Sequence, residues 1–460
     1  MMAGCPRIVI GGVESGAGKT SVTLALVATL RRRGIKVQTY KVGPDFLDPS
    51  HLAQASGRPC YNLDGWMMGR EYVERLFART AGVCDLAVIE GVMGLFDGAD
   101  PTTSEGSTAE IARWLKAPVL LVVSAQGMAR SLAALVKGYA EFEPGVNIAG
   151  VIANQCGSAR HAELLADSLK VAQLPPLIGG VPHGAFPELR SRHLGLITAD
   201  GRNTPKSVLD RFADAVDQNL PVDEVIRLAQ SAPPLPAAIL EPAPVKRPVR
   251  IGVAYDEAFH FYYQDLFDEL EMRGCELVRF SPVGDAYLPA GLDAIYFGGG
   301  YPELYAEALT ANQGMRDEVR RFAAHRPIYS ECGGLMYLAQ QLETVDGRQH
   351  PMIGLLPTST RMLNRLKALG YIEVTLNEAS LWGEKGAVLR GHQYHYSELI
   401  GDPLLNPNWK TVYTLRWWHR NATECEGFQS GSVLASYVHL HLASKPAAME
   451  HFIGLCKRWW

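Results

Sequence analysis

The sequence predicts an α/β chain of two domains, and three observations carry that prediction. Apolar runs of strand length alternate with helix-length stretches through both halves. The first run, Ile8-Val9-Ile10, empties into a glycine turn, Gly11-Gly12-Val13-Glu14-Ser15-Gly16-Ala17-Gly18-Lys19-Thr20, and a helix-like stretch from Ser21 to Arg33 follows. Between Ser231 and Val249 the composition shifts to Pro233, Pro234, Pro236, Pro242, Pro244 and Pro248, which reads as an extended linker. The chain therefore divides into a first domain over 1–230, a linker over 231–249 and a second domain over 250–460; its 460 residues exceed one average domain.

Bulk properties exclude several classes. A net charge of −4 gives no basic excess for nucleic acid. No apolar run approaches the length of a membrane span. The first strand starts close to the N-terminus without a secretory leader, and the 8 cysteines occur singly with no C-x-x-C pair. A reducing, cytoplasmic location is expected, with neither a disulfide scaffold nor a zinc knuckle.

The opening turn has the context of a phosphate-binding loop: strand, glycine turn, then Gly-Lys-Thr at a helix start. Backbone N–H groups around Gly16 and Gly18 point at anionic oxygens, Lys19 adds a point charge, and the Thr20 hydroxyl can hold Mg²⁺. The strict pattern places glycine where Val13 stands, so Gly12 is the residue expected to serve instead. A second strand, Lys36–Tyr40, leads to Lys41, Asp45 and Asp48, two carboxylates past a strand end where open α/β sheets bind ligands. They read either as a metal or substrate pair, with Lys41 reaching phosphates, or as turn formers. Asp85–Ile89 is a buried strand ending on Glu90, which is well placed for Mg²⁺ opposite the loop; a Gly-rich turn containing Asp97 follows. Pro118–Val123 and Asn147–Ala153 are further strands, so a parallel sheet is expected. Arg130 reads as an anion contact or a surface charge, and Asn154 as an adenine reader or a turn cap. His183, Arg190, Arg192 and His193 form a basic loop, either substrate-facing or solvated.

The second half restarts with a strand, Arg250–Ala254, then an aromatic-rich stretch and a helix reaching about Arg273. Glu276–Phe280 and Asp293–Phe297 are strands, the latter running into Gly298-Gly299-Gly300. Pro327–Tyr329 leads to Ser330-Glu331-Cys332-Gly333-Gly334, with a helix from about Leu335. Small residues on both sides of a cysteine at a strand-to-helix turn match a nucleophile elbow. The helix start lowers the thiol pKa, and amides of Gly299, Gly300 and Gly333 can face an oxyanion. A thiolate also needs a base. The candidates are His392, His395, His439 and His441, and spacing does not rank them; the last two read as strand residues sharing one face.

These stretches, with Tyr61-Asn62-Leu63-Asp64-Gly65-Trp66-Met67-Met68, Met128-Ala129-Arg130-Ser131 and Arg390-Gly391-His392-Gln393-Tyr394-His395-Tyr396-Ser397, resemble the cobyrinic acid a,c-diamide synthase family over nearly the whole length. The resemblance implies an ATP-dependent synthetase domain similar to dethiobiotin synthetase, followed by a triad-class (class I) glutamine amidotransferase domain. It implies Cys332 as nucleophile and His439 as base. It places ATP against Gly16, Gly18, Lys19, Thr20, Lys41 and Asn154, Mg²⁺ on Thr20, Asp45 and Glu90, and substrate near Asp48 and Asp97. The implied partners are ATP, glutamine and a tetrapyrrole carboxylate, with no nucleic acid or membrane; a homodimer is one assembly it allows. This sequence departs from the family pattern at Glu14, in the stretch 186–193, where a more acidic character is expected, and at His441, where many such amidotransferases carry glutamate. Alternatives with the same machinery are hydrogenobyrinic acid or Ni-sirohydrochlorin (coenzyme F430 pathway) as acceptor; one of another class is a phosphate-loop switch ATPase, which has no use for Cys332.

Overall fold

The computed structural model describes residues 4–189, 191–192, 195–196, 204–235, 248–418 and 423–458. The chain forms two compact units, Met1–Leu240 and Glu241–Trp460. Of the basic loop, Arg190 and His193 lie outside the described residues, as does most of the Pro-rich stretch; His183 is exposed. Among the described residues no helix is long and apolar enough to cross a membrane.

The first unit is built on seven strands: β1 (Arg7–Gly12), β2 (Val37–Val42), β3 (Tyr61–Leu63), β4 (Leu86–Glu90), β5 (Val119–Ser124), β6 (Ile148–Cys156) and β7 (Leu177–Pro182). Their order is β3-β2-β4-β1-β5-β6-β7, and every pairing is parallel. β1, β2 and β4 are buried on both faces, which is why residues 8–10 of β1 and 86–89 of β4 read as continuous apolar runs rather than alternating ones. Helix α1 (Lys19–Arg32) covers one face, its Leu24, Val27 and Leu30 packing in a core that also holds Phe212 and Val216. It starts at Lys19, earlier than the expected Ser21, because Gly18 takes a left-handed conformation (φ 97°) that turns the strand directly into a helix. With β1 between β4 and β5, the loops leaving β1, β2 and β4 open at one edge, the usual ligand position of such a sheet.

β7 escapes a reading by pattern because two of its residues are glycines forced by crowding. A Cβ on Gly179 would lie 2.4 Å from the Asn219 carbonyl oxygen, and one on Gly180 would lie 2.6 Å from Ala162 Cβ.

The second unit holds a ten-stranded mixed sheet. Its parallel part runs Cys275–Phe280, Val249–Ala254, Ala294–Phe297, Ile328–Glu331, Val433–Ser436. An antiparallel part continues through Thr423–Ser430, Lys410–Trp417, Ala368–Leu376, Val388–His395 and His439–Leu440. This sheet brings the end of Ile328–Glu331 close to the short strand carrying His439, which pairs with His392.

Candidate functional site

In the first unit the phosphate-loop residues converge as the local sequence dictates. Gly16 and Gly18 both have positive φ, 84° and 97°, a conformation only glycine adopts without strain. Lys19 folds back across the loop and donates to the Glu14 carbonyl at 2.8 Å. Gly12 makes room for that course: a Cβ there would stand 2.8 Å from Lys19 Cδ. The close approach that the strict pattern assigns to position 13 is thus made at position 12. Asn154 at the end of β6 donates to the Ala17 carbonyl at 3.1 Å, and its amide fills the place of a Cβ on Gly18.

A buried charge cluster lies beside the loop. Thr20 Oγ1 donates to Glu90 Oε1 at 2.7 Å, and Lys41 Nζ lies 2.9 Å from the same oxygen and 2.6 Å from Asp48 Oδ2. Burial works against the Lys41 ammonium, but the charges of Asp48, Glu90 and Asp45 outweigh it and hold its pKa up. Burial and the neighbouring Asp48 push Asp45 up to about 7, and burial pushes Glu90 to about 6 against the pull of Lys41. Burial would raise Asp48 too, but Lys41 outweighs it and lowers its pKa. Asp45 Oδ1 accepts from the backbone N–H of Leu47 at 2.7 Å and of Asp48 at 3.2 Å, so it also fastens the start of helix Leu47–Ser56. Asp97 is exposed and accepts from Gly94 N at 2.8 Å, closing its own turn.

One atom of the cluster points to a missing partner: Glu90 Oε2 is buried with no hydrogen bond. An orphaned carboxylate oxygen beside the Thr20 hydroxyl is a hard donor pair that fits a Mg²⁺ ion. Among the described residues no group of three or more His, Cys, Asp or Glu is arranged to hold a metal by itself. An ion here would share its coordination with phosphate oxygens and water, which is how Mg²⁺ is commonly bound.

In the second unit Cys332 joins strand Ile328–Glu331 to helix Gly333–Leu338. The helix begins at Gly333, two residues before the expected start, because Cys332 itself makes the turn at φ 47°, ψ −101°. That backbone conformation costs a non-glycine residue about 1–3 kcal/mol and is a known mark of functional turns. The flanking glycines are needed sterically: a Cβ on Gly334 would lie 2.5 Å from the Phe297 carbonyl oxygen. Gly334→Ala is therefore expected to destabilise the unit by about 1–3 kcal/mol, read as a lower urea midpoint at unchanged slope. A Cβ on Gly333 would lie 3.0 Å from Gly300 N, and one on Gly299 2.4 Å from His439 Cε1, so the triple-glycine loop, the elbow and His439 meet at one point.

The structure distinguishes the four histidines that spacing left equal. His439 is the one whose charged form Cys332 favours; burial disfavours that form, but the interactions with Cys332 and Glu331 outweigh it and raise His439 to about 9. His392 stacks on it, ring centroids 5.0 Å apart, and shares a 3.0 Å hydrogen bond with Tyr263 Oη. Burial, then the charges of His439 and His441, hold His392 well below the ordinary histidine range. His395 lies flat on Tyr437 at 4.0 Å and donates from Nδ1 to the Ser397 carbonyl; burial lowers it to about 4. The strand bearing His439 ends at Leu440, and His441 Nε2 lies 3.2 Å from buried Asp265. The arrangement can hold a thiolate beside an imidazolium, with backbone amides at hand.

The nucleotide-binding family described as CobQ/CobB/MinD/ParA matches residues 8–196, and the CobB/CobQ-like glutamine amidotransferase family matches residues 250–447. A cobyrinate a,c-diamide synthase from Syntrophotalea carbinolica is 55% identical over 455 residues, covering 98% of this chain and 99% of its own. The chain belongs to the cobyrinate a,c-diamide synthase family. Synthases of the same name from Leptospira interrogans (43% identical, 98% of this chain, 99% of that one) and Archaeoglobus fulgidus (37% identical, 97% of each) are also similar. Lys19, Glu90 and Asn154 fall within the first match, and Cys332 and His439 within the second. The sequence reading had no role for Glu331. Its place directly before the cysteine, with tyrosines at 296 and 329, was the available signal.

Proposed function

We propose that this chain is an ATP- and glutamine-dependent ligase that amidates the a and c side-chain carboxylates of cobyrinate. The observation that carries the reading is the pairing, in one chain, of a loop-side cluster with an orphaned Glu90 oxygen and a strained Cys332 elbow whose triple-glycine loop packs against His439. A phosphate-loop switch would account for the first set alone, but it has no use for the nucleophilic thiol of the second.

A carboxylate is a poor electrophile because its leaving group would be oxide. Transfer of the γ-phosphoryl group of ATP to a carboxylate oxygen creates an acyl phosphate, whose leaving group is phosphate. In this scheme Lys19 and Lys41 lie along the phosphates, Gly16 and Gly18 present amides, and Asn154 reads adenine. Asp48 and Asp97 stand toward the acceptor. Thr20 and Glu90, with Asp45, would hold Mg²⁺, which when bound spreads charge developing on the phosphoryl oxygens. Cys332 attacks the glutamine amide while amides of Gly299, Gly300 and Gly333 face the oxyanion. His439 gives its proton to the departing ammonia, then takes one from the water that clears the glutamyl thioester. The ammonia attacks the acyl phosphate, and the cycle runs twice on an acceptor with two carboxylates.

The test is a side-by-side assay of the purified protein with ATP, Mg²⁺, glutamine and each of cobyrinate, hydrogenobyrinate and Ni-sirohydrochlorin. Two amides added to cobyrinate is the expected product. Exclusive amidation of Ni-sirohydrochlorin would replace the acceptor, and glutamine-independent ATP turnover without any amide would replace the function.

A further inference from the structure

The histidine of a cysteine amidotransferase is ordinarily steadied by a carboxylate, and the position two residues beyond His439 cannot supply one: it is His441, whose Nε2 is turned to Asp265 at 3.2 Å. Another carboxylate stands close to His439 itself. Glu331, directly before Cys332, is 2% exposed, and its Oε2 lies 3.6 Å from His439 Nδ1. That separation is an ion-pair distance, slightly longer than a hydrogen bond, of the kind that tightens when substrate binds.

The setting of Glu331 is built rather than incidental. Tyr296 Oη donates to Oε2 at 2.8 Å, Tyr329 Oη donates to Oε1 at 2.6 Å, and Leu440 N–H donates to Oε1 at 3.1 Å. Both oxygens act as acceptors, and the two tyrosines come from neighbouring parallel strands in register, Tyr296 opposite Tyr329. The Leu440 amide belongs to the residue after His439, so one carboxylate fastens the backbone and faces the ring of the same two-residue strand. The remaining neighbours of His439 do not compete for this role. His392 stacks on its face, His395 lies flat on Tyr437, and Asp265 is engaged with His441.

We infer that Glu331 is the positioning carboxylate of this amidotransferase centre, supplied from the residue before the nucleophile instead of from beyond the histidine. Glu331 orients the His439 ring with Nδ1 toward itself and Nε2 toward Cys332, and its charge stabilises the imidazolium that protonates departing ammonia. The inference rests on the reading of Cys332 and His439 as nucleophile and base.

The experiment compares Glu331→Gln and Glu331→Asp with the native protein in glutamine-driven and ammonium-driven amidation across pH. Loss of the imidazolium proton is expected to limit the native glutamine reaction on the alkaline side, His439 being raised to about 9. In Glu331→Gln the rate with glutamine is expected to fall about 10²-fold. Its alkaline limb is expected to move at least one pH unit lower, since removing the negative charge makes the imidazolium easier to deprotonate. Ammonium-driven turnover stays within about twofold of native. Glu331→Asp keeps the charge, so its limb is expected to lie between the other two. A native rate and limb in Glu331→Gln would overturn the assignment. So would a native limb in Glu331→Asp if the Gln variant fails to fold. Asp265→Asn is the discriminating control: a shift of the limb there, and none in Glu331→Gln, would move the role to the Asp265–His441 pair. Persistence of glutamine-driven activity in Cys332→Ala would instead overturn the amidotransferase reading itself.

Discussion

Cys332→Ala should abolish glutamine-driven amidation, by about 10³-fold or more, while ammonium-driven amidation remains near native. The expectation follows from the division of labour between the two units. Alanine removes the one thiol that the elbow holds in contact with His439, at a position 6% exposed. It leaves the φ 47° turn and the Gly299–Gly300 loop in place, and it relieves none of the contacts around Lys19. Added ammonium supplies by mass action what the thiol would otherwise release. Product formation is followed chromatographically with each nitrogen source. Equal loss with both would mean that the cysteine's role is structural.

Glu90→Gln should have the converse effect. Amidation is expected to fall about 10²-fold or more with either nitrogen source, while hydrolysis of glutamine through Cys332 survives. Glu90 is fully buried and is shared by Thr20 and Lys41. The amide retains the shape but removes a negative charge opposite Lys41, leaving that ammonium held mainly by Asp48. It also replaces the orphaned Oε2 donor expected to face a cation. Phosphate release and glutamate release, measured in parallel, separate the two activities; unchanged phosphate release would remove Glu90 from the phosphate chemistry.

The phosphate loop was legible because its determinants are local. Strand, turn and helix start lie within some twenty residues, and Gly18, Lys19 and Thr20 can be read without knowing what packs against them. Strands β4, β5 and most of β6 were equally plain, since burial on both faces leaves an apolar run. β7 was not, because Gly179 and Gly180 answer to neighbours distant in sequence. The antiparallel part of the second sheet was hidden for another reason. Strands such as Lys410–Trp417 alternate between buried and exposed residues over a short length, with charged residues on the open side, a weak signal beside a buried parallel strand.

The histidines show where sequence reading stops in principle. His392, His395, His439 and His441 are chemically identical, and what separates them is tertiary: a stacked ring, a stacked tyrosine, a thiol and an aspartate, respectively. Likewise, the missing glutamate beyond His439 was visible in the sequence, but a substitute carboxylate on another strand was not. Glu331 precedes Cys332 in the chain, and only the turn at Cys332 together with the placement of His439–Leu440 turns that adjacency into a contact.

In the proposed mechanism the loop-side cluster activates a carboxylate as an acyl phosphate for ammonia released at Cys332. That activation is tested most directly by preparing cobyrinate with heavy oxygen in its a and c carboxylates and following that label through one complete reaction. One labelled oxygen in inorganic phosphate is expected for every amide formed. Label in AMP, or amide formation with no label reaching phosphate, would contradict it.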